Sequence, residues 1–133
     1  IFKSTDGGKT FARSDEGIVK VNAKQGGSLS STFYCVAVSP ADGNVLYTND
    51  GAWNAATIYK SEDGGEAWKP VANRGGIGVE NAVGSEGIFQ LETATFAGVA
   101  GVLAVSPTDP DRAYLYNTEF IARTENGGRT WDD

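Results

Sequence analysis

Apolar and polar positions along the chain alternate over short stretches and then break, and nowhere do they sustain the 3.6-residue period of an amphipathic helix. Residues 33–39 (FYCVAVS) and 102–106 (VLAVS) are short, apolar and β-branched, and each stops at a Ser-Pro step. Proline brings no N–H to a sheet ladder, and the Asp42-Gly43 and Asp109-Pro110 pairs that follow are turn formers. Each run therefore predicts a strand that ends in a tight reversal. Residues 45–49 and 112–117 predict second strands, 57–61 and 120–124 third strands, and 67–71 a fourth.

The pattern recurs. Residues 1–11 (IFKSTDGGKTF), 58–68 (IYKSEDGGEAW) and 121–131 (IARTENGGRTW) align directly, and Ser4, Ser61 and Thr124 stand 57 and 63 residues apart. Upstream, AVSPAD at 37–42 matches AVSPTD at 104–109 with a shift of 67, and Tyr47 matches Tyr114 at the same shift. Between Tyr47 and Ile58 the register slips by four, which marks a loop of variable length. Four short antiparallel strands in a repeating unit of roughly 60 residues are the signature of a β-propeller blade. The expected fold is all-β: about two and a quarter blades of a larger propeller.

The repeated turn has its own logic. Asp6, Asp63 and Asn126 can accept backbone N–H groups across the turn through a side-chain oxygen. The glycine pairs 7–8, 64–65 and 127–128 permit positive φ, and Phe11, Trp68 and Trp131 supply a large apolar anchor where the outer strand begins. A calcium loop is the competing chemistry, but one carboxylate per turn falls far short of 6–8 oxygen ligands, so no metal is expected.

These residues resemble the Asp-box, or bacterial neuraminidase repeat, Ser/Thr-x-Asp-x-Gly-x-Thr-Trp/Phe. Ser4, Asp6, Gly8, Thr10 and Phe11 match it fully; Ser61, Asp63, Gly65 and Trp68 match with Ala67 in place of threonine. Gly128, Thr130 and Trp131 match, while Thr124 and Asn126 depart from it. The box occurs in sialidases, xyloglucanase-type glycoside hydrolases, sortilin-type receptors and photosystem II assembly factors. The Ser-Pro strand end with its Asp turn and Tyr is more similar to the xyloglucanase and sortilin branches. The resemblance implies a propeller whose box turns are structural, in a parent that is usually secreted, periplasmic or luminal. Because the box serves enzymes and non-enzymes alike, it does not choose a function.

Composition narrows the choice. Eleven Lys and Arg against 17 Asp and Glu give a net charge of −6, and there is no basic run, which disfavours nucleic acid and anionic membrane. The chain has no histidine, which removes the commonest general base and metal ligand. Cys35 is the single cysteine, in an apolar strand, and reads as a small buried hydrophobe. No cofactor is expected. No apolar run approaches the ~18 residues of a membrane helix, and no signal-peptide pattern opens the chain. With no Met and a strand already at Ile1-Phe2-Lys3, the chain is expected to be a piece of a parent of about 350–450 residues, the size of a propeller with ~6–7 blades. Within it, 1–13 is expected to end one blade, 33–72 to form a full one and 102–133 most of the next. Residues 14–32 and 73–101 would then be inter-blade loops.

Strand parity assigns the faces. In an alternating blade, the first–second turn and the third–fourth turn share one face. The second–third loop and the crossover to the next blade share the other. The box turns and Ser-Pro turns fall on the first face; the long segments 14–32, 50–56 and 72–101 fall on the second. Loops longer than ~12–15 residues are uncommon unless functional or disordered, so ligand contacts are expected opposite the boxes. The candidates are Asp50, Trp53, Asn54 and Glu80: a Trp flanked by Asp and Asn suits sugar stacking with hydroxyl recognition, and the competing role of Trp53 is packing on the neighbouring crossover. Glu80, Glu86 and Glu92 are carboxylates that glycoside hydrolysis could use as an acid–base pair, or solvated loop charges. The glycine-rich 74–81 stretch has no GxGxxG and reads as loop, not as a phosphate cradle. Arg13, Arg74, Arg112, Arg123 and Arg129 are scattered, so no catalytic set converges here. The expected function is a non-catalytic binding or scaffolding module of a larger extracytoplasmic assembly, its partners the remaining blades of a parent or other chains, with glycan as a further ligand. The alternative is a fragment of a xyloglucanase- or sialidase-like glycoside hydrolase whose catalytic carboxylates lie partly outside this chain.

Overall fold

The computed structural model describes residues 1–18, 33–50, 57–73, 89–90, 101–116 and 121–132. Among these, every regular element is a strand: β1 (Phe2–Lys3), β2 (Ala12–Arg13), β3 (Phe33–Val38), β4 (Leu46–Asp50), β5 (Thr57–Ser61), β6 (Lys69–Asn73), β7 (Phe89–Gln90), β8 (Val102–Val105), β9 (Ala113–Tyr116) and β10 (Ile121–Thr124). They form three sheets, β1-β2, β3-β4-β5-β6-β7 and β8-β9-β10. All neighbours are antiparallel except β6 and β7. The all-β arrangement fits a segment of a β-propeller.

Most expected strands are met to within a residue at each end, and the larger differences lie at β6, β7 and the last strand of the third sheet. β7 lies in a stretch expected to be connection only, pairing Ala72↔Phe89 and Asn73↔Gln90 in parallel with β6. An outer strand leaves a row of unpaired N–H and C=O groups, and a returning chain that runs alongside can satisfy them. β6 starts at Lys69 and not at 67, because the preceding turn runs through Trp68, whose N–H bonds the Glu16 carbonyl at 2.8 Å. In the third sheet a fourth strand is reduced to one bridge, Arg123↔Asp132.

The core is the seam between the second and third sheets. Registers Ala37↔Tyr47 and Tyr47↔Lys60 put those side chains on one face, together with Val45 and Ile58. On β8–β10 the registers Leu103↔Leu115, Val105↔Ala113 and Ala122↔Leu115 build the opposing face. These residues, with Ala72 and Trp131, make one apolar cluster, and Cys35 and Val71 pack against it. Neither sheet has enough apolar surface to fold on its own account, and stacking buries what each exposes.

Polar groups in the seam are partnered across it. The Asn49 amide donates to the Gly101 carbonyl at 3.0 Å, the Tyr47 hydroxyl to the Pro110 carbonyl at 3.2 Å, and the Leu103 N–H to the Cys35 sulfur at 3.2 Å. Burial pushes the Tyr47 phenol up to about 12, against the opposing pull of Lys60. A raised phenol keeps its proton in the folded chain while the unfolded chain loses it near ~10, so stability present below pH ~10 falls as pH rises toward 12. The expected loss is of order 2 kcal/mol, read as a drop in urea midpoint from pH 9 to pH 11.5 that Tyr47→Phe removes.

Successive sheets also repeat one contact at the turns. Ser14 follows β2 as Val71 sits within β6, 57 residues on, and each lies against a turn glycine of the following sheet: Ser14 against Gly65, Val71 against Gly128. The Ser14 hydroxyl donates to the Gly65 carbonyl, and the Trp68 indole N–H to the Ser14 carbonyl at 2.9 Å.

Candidate functional site

The three repeated turns are built alike. A hydroxyl at the first position accepts the N–H of the second glycine: Ser4 from Gly8 at 2.8 Å, Ser61 from Gly65 at 2.9 Å, Thr124 from Gly128 at 2.9 Å. Asp6 Oδ1 accepts the N–H groups of Lys9 and Thr10, and its Oδ2 accepts the Thr10 hydroxyl at 2.6 Å. Asp63 takes the N–H groups of Glu66 and Ala67. Bonds from the Thr10 hydroxyl and amide, then from Ser4, hold the Asp6 carboxyl down at about 2. The Ala67 amide and then Ser61 lower that of Asp63. Carboxylates held ionised in this way serve the turn and are poor proton donors.

Asn126 does the same work with one group reversed. Its Oδ1 accepts the Thr130 N–H at 3.0 Å, and its amide donates to the Thr130 hydroxyl at 2.8 Å, where Asp6 accepts from Thr10. The hydroxyl turns to suit either partner. The second turn has Ala67 at that position and offers an amide nothing to donate to. Asp6→Asn is therefore expected to keep the Lys9 and Thr10 amides protected from hydrogen exchange, whereas Asp63→Asn speeds exchange at Glu66 and Ala67. Equal protection in both variants would contradict the role given to the hydroxyl.

The large side chains that follow are not equivalent. Trp68 and Trp131 are buried, but Phe11 is 63% exposed. The expected anchor is absent there because, among the described residues, the first sheet holds only β1 and β2, with no inner strands for Phe11 to cover.

The turns of each sheet meet at one end. The Gly64 N–H bonds the Asn44 carbonyl at 2.9 Å and the Gly127 N–H the Asp111 carbonyl at 2.8 Å, tying the box turn to the Ser-Pro turn. At the other end Phe33, Asp50, Thr57 and Asn73 stand in one row of paired strand ends. Asp50 thus closes β4 on the edge opposite the boxes; Trp53, Asn54 and Glu80 lie outside the described residues, as do Glu86 and Glu92.

A cleft of about 580 Å³ opens at the seam on the turn side, lined among others by Lys60, Glu62, Asp111, Glu125 and Arg129. Lys60 is nearly buried and donates to Glu62 at 2.8 Å and to Asp111, across the seam, at 2.9 Å. Burial pulls its pKa down, but the two carboxylates outweigh that and leave it above the ordinary lysine value. This pair was not singled out from sequence. Its signal is positional: Lys3, Lys60 and Arg123 each precede the first hydroxyl of a box. Among the described residues no three His, Cys, Asp or Glu side chains gather where they could hold a metal ion.

No protein-family model matches the chain, and no curated protein matches it. Among solved structures it is similar to the GH74 xyloglucanase from Xanthomonas campestris, at 24% sequence identity and a TM-score of 0.49. The match covers 76% of this chain and 13% of that one, so the chain spans a small part of that enzyme's length.

Proposed function

We propose that this chain is a non-catalytic Asp-box propeller segment, a binding and scaffolding module within a larger extracytoplasmic assembly, with its ligand face opposite the box turns. The observation that carries it is the row Phe33, Asp50, Thr57 and Asn73, which gathers the ends of four strands on that edge. The nearby chemistry, an acid at Asp50 followed by Trp53 and Asn54, suits a hydroxyl-rich ligand such as a glycan. Support for a non-catalytic role comes from the carboxylates themselves. Asp6 and Asp63 are lowered by turn hydrogen bonds, and Glu62 and Asp111 are engaged by Lys60, whereas an acid catalyst needs its pKa raised.

Titration of xyloglucan, β-glucan and sialoside oligosaccharides into the Trp68→Phe, Trp131→Phe variant, with Trp53 as the remaining reporter, tests the ligand face. A saturable fluorescence change is expected, and none at any of the three would remove Trp53 from the site. Assay of the longer protein that contains this segment tests the rest. Turnover of those glycans abolished by one Asp or Glu substitution within residues 1–133 would overturn the non-catalytic assignment.

A further inference from the structure

On the turn side the same cleft is built twice, with different chemistry. Where the first sheet's turn meets the second, a cleft of about 280 Å³ is bordered by Lys3, Thr10, Ala12 and Glu66. In the cleft of about 580 Å³ at the next seam, Lys60, Ala67, Lys69 and Arg129 hold the matching positions. The smaller cleft satisfies its own groups. Lys3 reaches Glu66 at 4.0 Å, Arg13 pairs with Asp15, and the Thr10 hydroxyl donates to Asp6 Oδ2 at 2.6 Å.

The larger cleft does not. Arginine stands at 129 where the first cleft has Glu66, so Lys60 turns to Glu62 and Asp111 instead. Glu125 is taken by Arg112 and Arg123, at 3.6 and 3.8 Å. Among the described residues no carboxylate comes within ion-pair reach of Lys69 or Arg129, which face the cleft from β6 and from the third box turn. Alanine at 67 removes the hydroxyl that fills the matching place beside Thr10. Asp63 Oδ2 keeps the Ala67 N–H, at 3.1 Å, and shares it with Oδ1 at 3.0 Å. The cleft thus presents two cations without a counter-charge and an acceptor without its hydroxyl, in a volume that takes small ligands.

We infer that this cleft binds a sugar carrying one negative charge, a carboxylate or a sulfate. Its oxyanion lies on Lys69 and Arg129, and one of its hydroxyls donates to Asp63 Oδ2 in the place of the missing threonine hydroxyl. A guanidinium fork and a lysine point charge suit such an oxyanion. Glu62 and Asp111 stand close enough to repel a dianion such as a phosphate ester more strongly than a monoanion. The site lies at the end opposite the ligand edge proposed above and does not rest on it. Trp53 reports on that edge and the cleft's own amides on this one, so either titration can fail while the other succeeds.

Backbone-amide NMR of the full chain, titrated with glucuronate, glucose 6-sulfate, glucose 6-phosphate, glucose and acetate, tests the inference. Saturable shifts at Ala67, Lys69, Gly127 and Arg129 are expected with glucuronate or the sulfate, and which of the two binds separates the anions. The phosphate should bind more weakly, and glucose and acetate should each lack half of the recognition. Arg129→Glu reproduces the charge of the first cleft, and Ala67→Thr returns the box hydroxyl to Asp63 and fills its space. Each should weaken binding about tenfold while amides away from the cleft keep their positions. The inference is overturned if neither monoanion gives saturable shifts, or if glucose or acetate binds as tightly as they do. Undiminished binding by Ala67→Thr, or equal shifts at Lys3 and Glu66 in the first cleft, would overturn it as well.

Discussion

Ile58→Ala lowers stability by about 3 kcal/mol, within the ~2–5 kcal/mol of buried Ile-to-Ala changes, while Ile121→Ala at the matching position costs under about 0.5 kcal/mol. Ile58 is the second residue of β5 and Ile121 the first of β10, and the two sit in matching register rows, Asn49↔Ile58 and Tyr116↔Ile121. The difference is the neighbour. Ile58 is wholly enclosed between two sheets, so truncation leaves a void that the packed seam cannot collapse into; Ile121 is 58% exposed and leaves no void. Urea titrations followed by Trp fluorescence check this, with an expected midpoint shift of roughly 1–2 M for Ile58→Ala at the usual m-values. An equal loss at Ile121 would mean that the third sheet's outer face is covered in solution.

That asymmetry also separates what is legible in the sequence from what is not. Strands, reversals and box turns are local: Ser-Pro ends a ladder, paired glycines take positive φ, and Asp6, Asp63 and Asn126 bond to amides within four residues. A single stretch of sequence carries all of that, and the repetition adds the all-β stacking. The seam is different. Tyr47 to Pro110, Asn49 to Gly101 and Lys60 to Asp111 join residues 51 to 63 apart, and each is an ordinary polar residue until the next sheet is laid against it. Lys60 carries no local mark of its role beyond its place before a box, which Lys3 and Arg123 share. Phe11 shows the converse: the motif anticipates an anchor, but an anchor needs inner strands beneath it.

The glycines of the boxes yield the second large effect, and they are not interchangeable. Gly8, Gly65 and Gly128 hold nearly the same φ, +87°, +89° and +91°, so alanine at any of them incurs a backbone strain of about 1–2 kcal/mol. What surrounds the added Cβ differs. At Gly8 it would meet nothing within 4 Å, and at Gly65 its nearest neighbours would be at 3.6 Å, an ordinary contact. At Gly128 it would lie 2.7 Å from Val71 Cγ2 and 2.8 Å from Val71 Cβ. The Cβ cannot be rotated away, so β6 or the turn must shift, adding the ~1–3 kcal/mol of an overpacked site. Gly128→Ala is therefore expected to cost about 3 kcal/mol and Gly8→Ala about 1 kcal/mol, compared by urea midpoints at pH 7. In a Val71→Gly background the contact is gone, and the cost of Gly128→Ala should drop to that of Gly8→Ala. A cost unchanged by Val71→Gly would show that strain in the turn alone, and not the approach of one sheet's outer strand to the next sheet's turn, makes glycine necessary at 128.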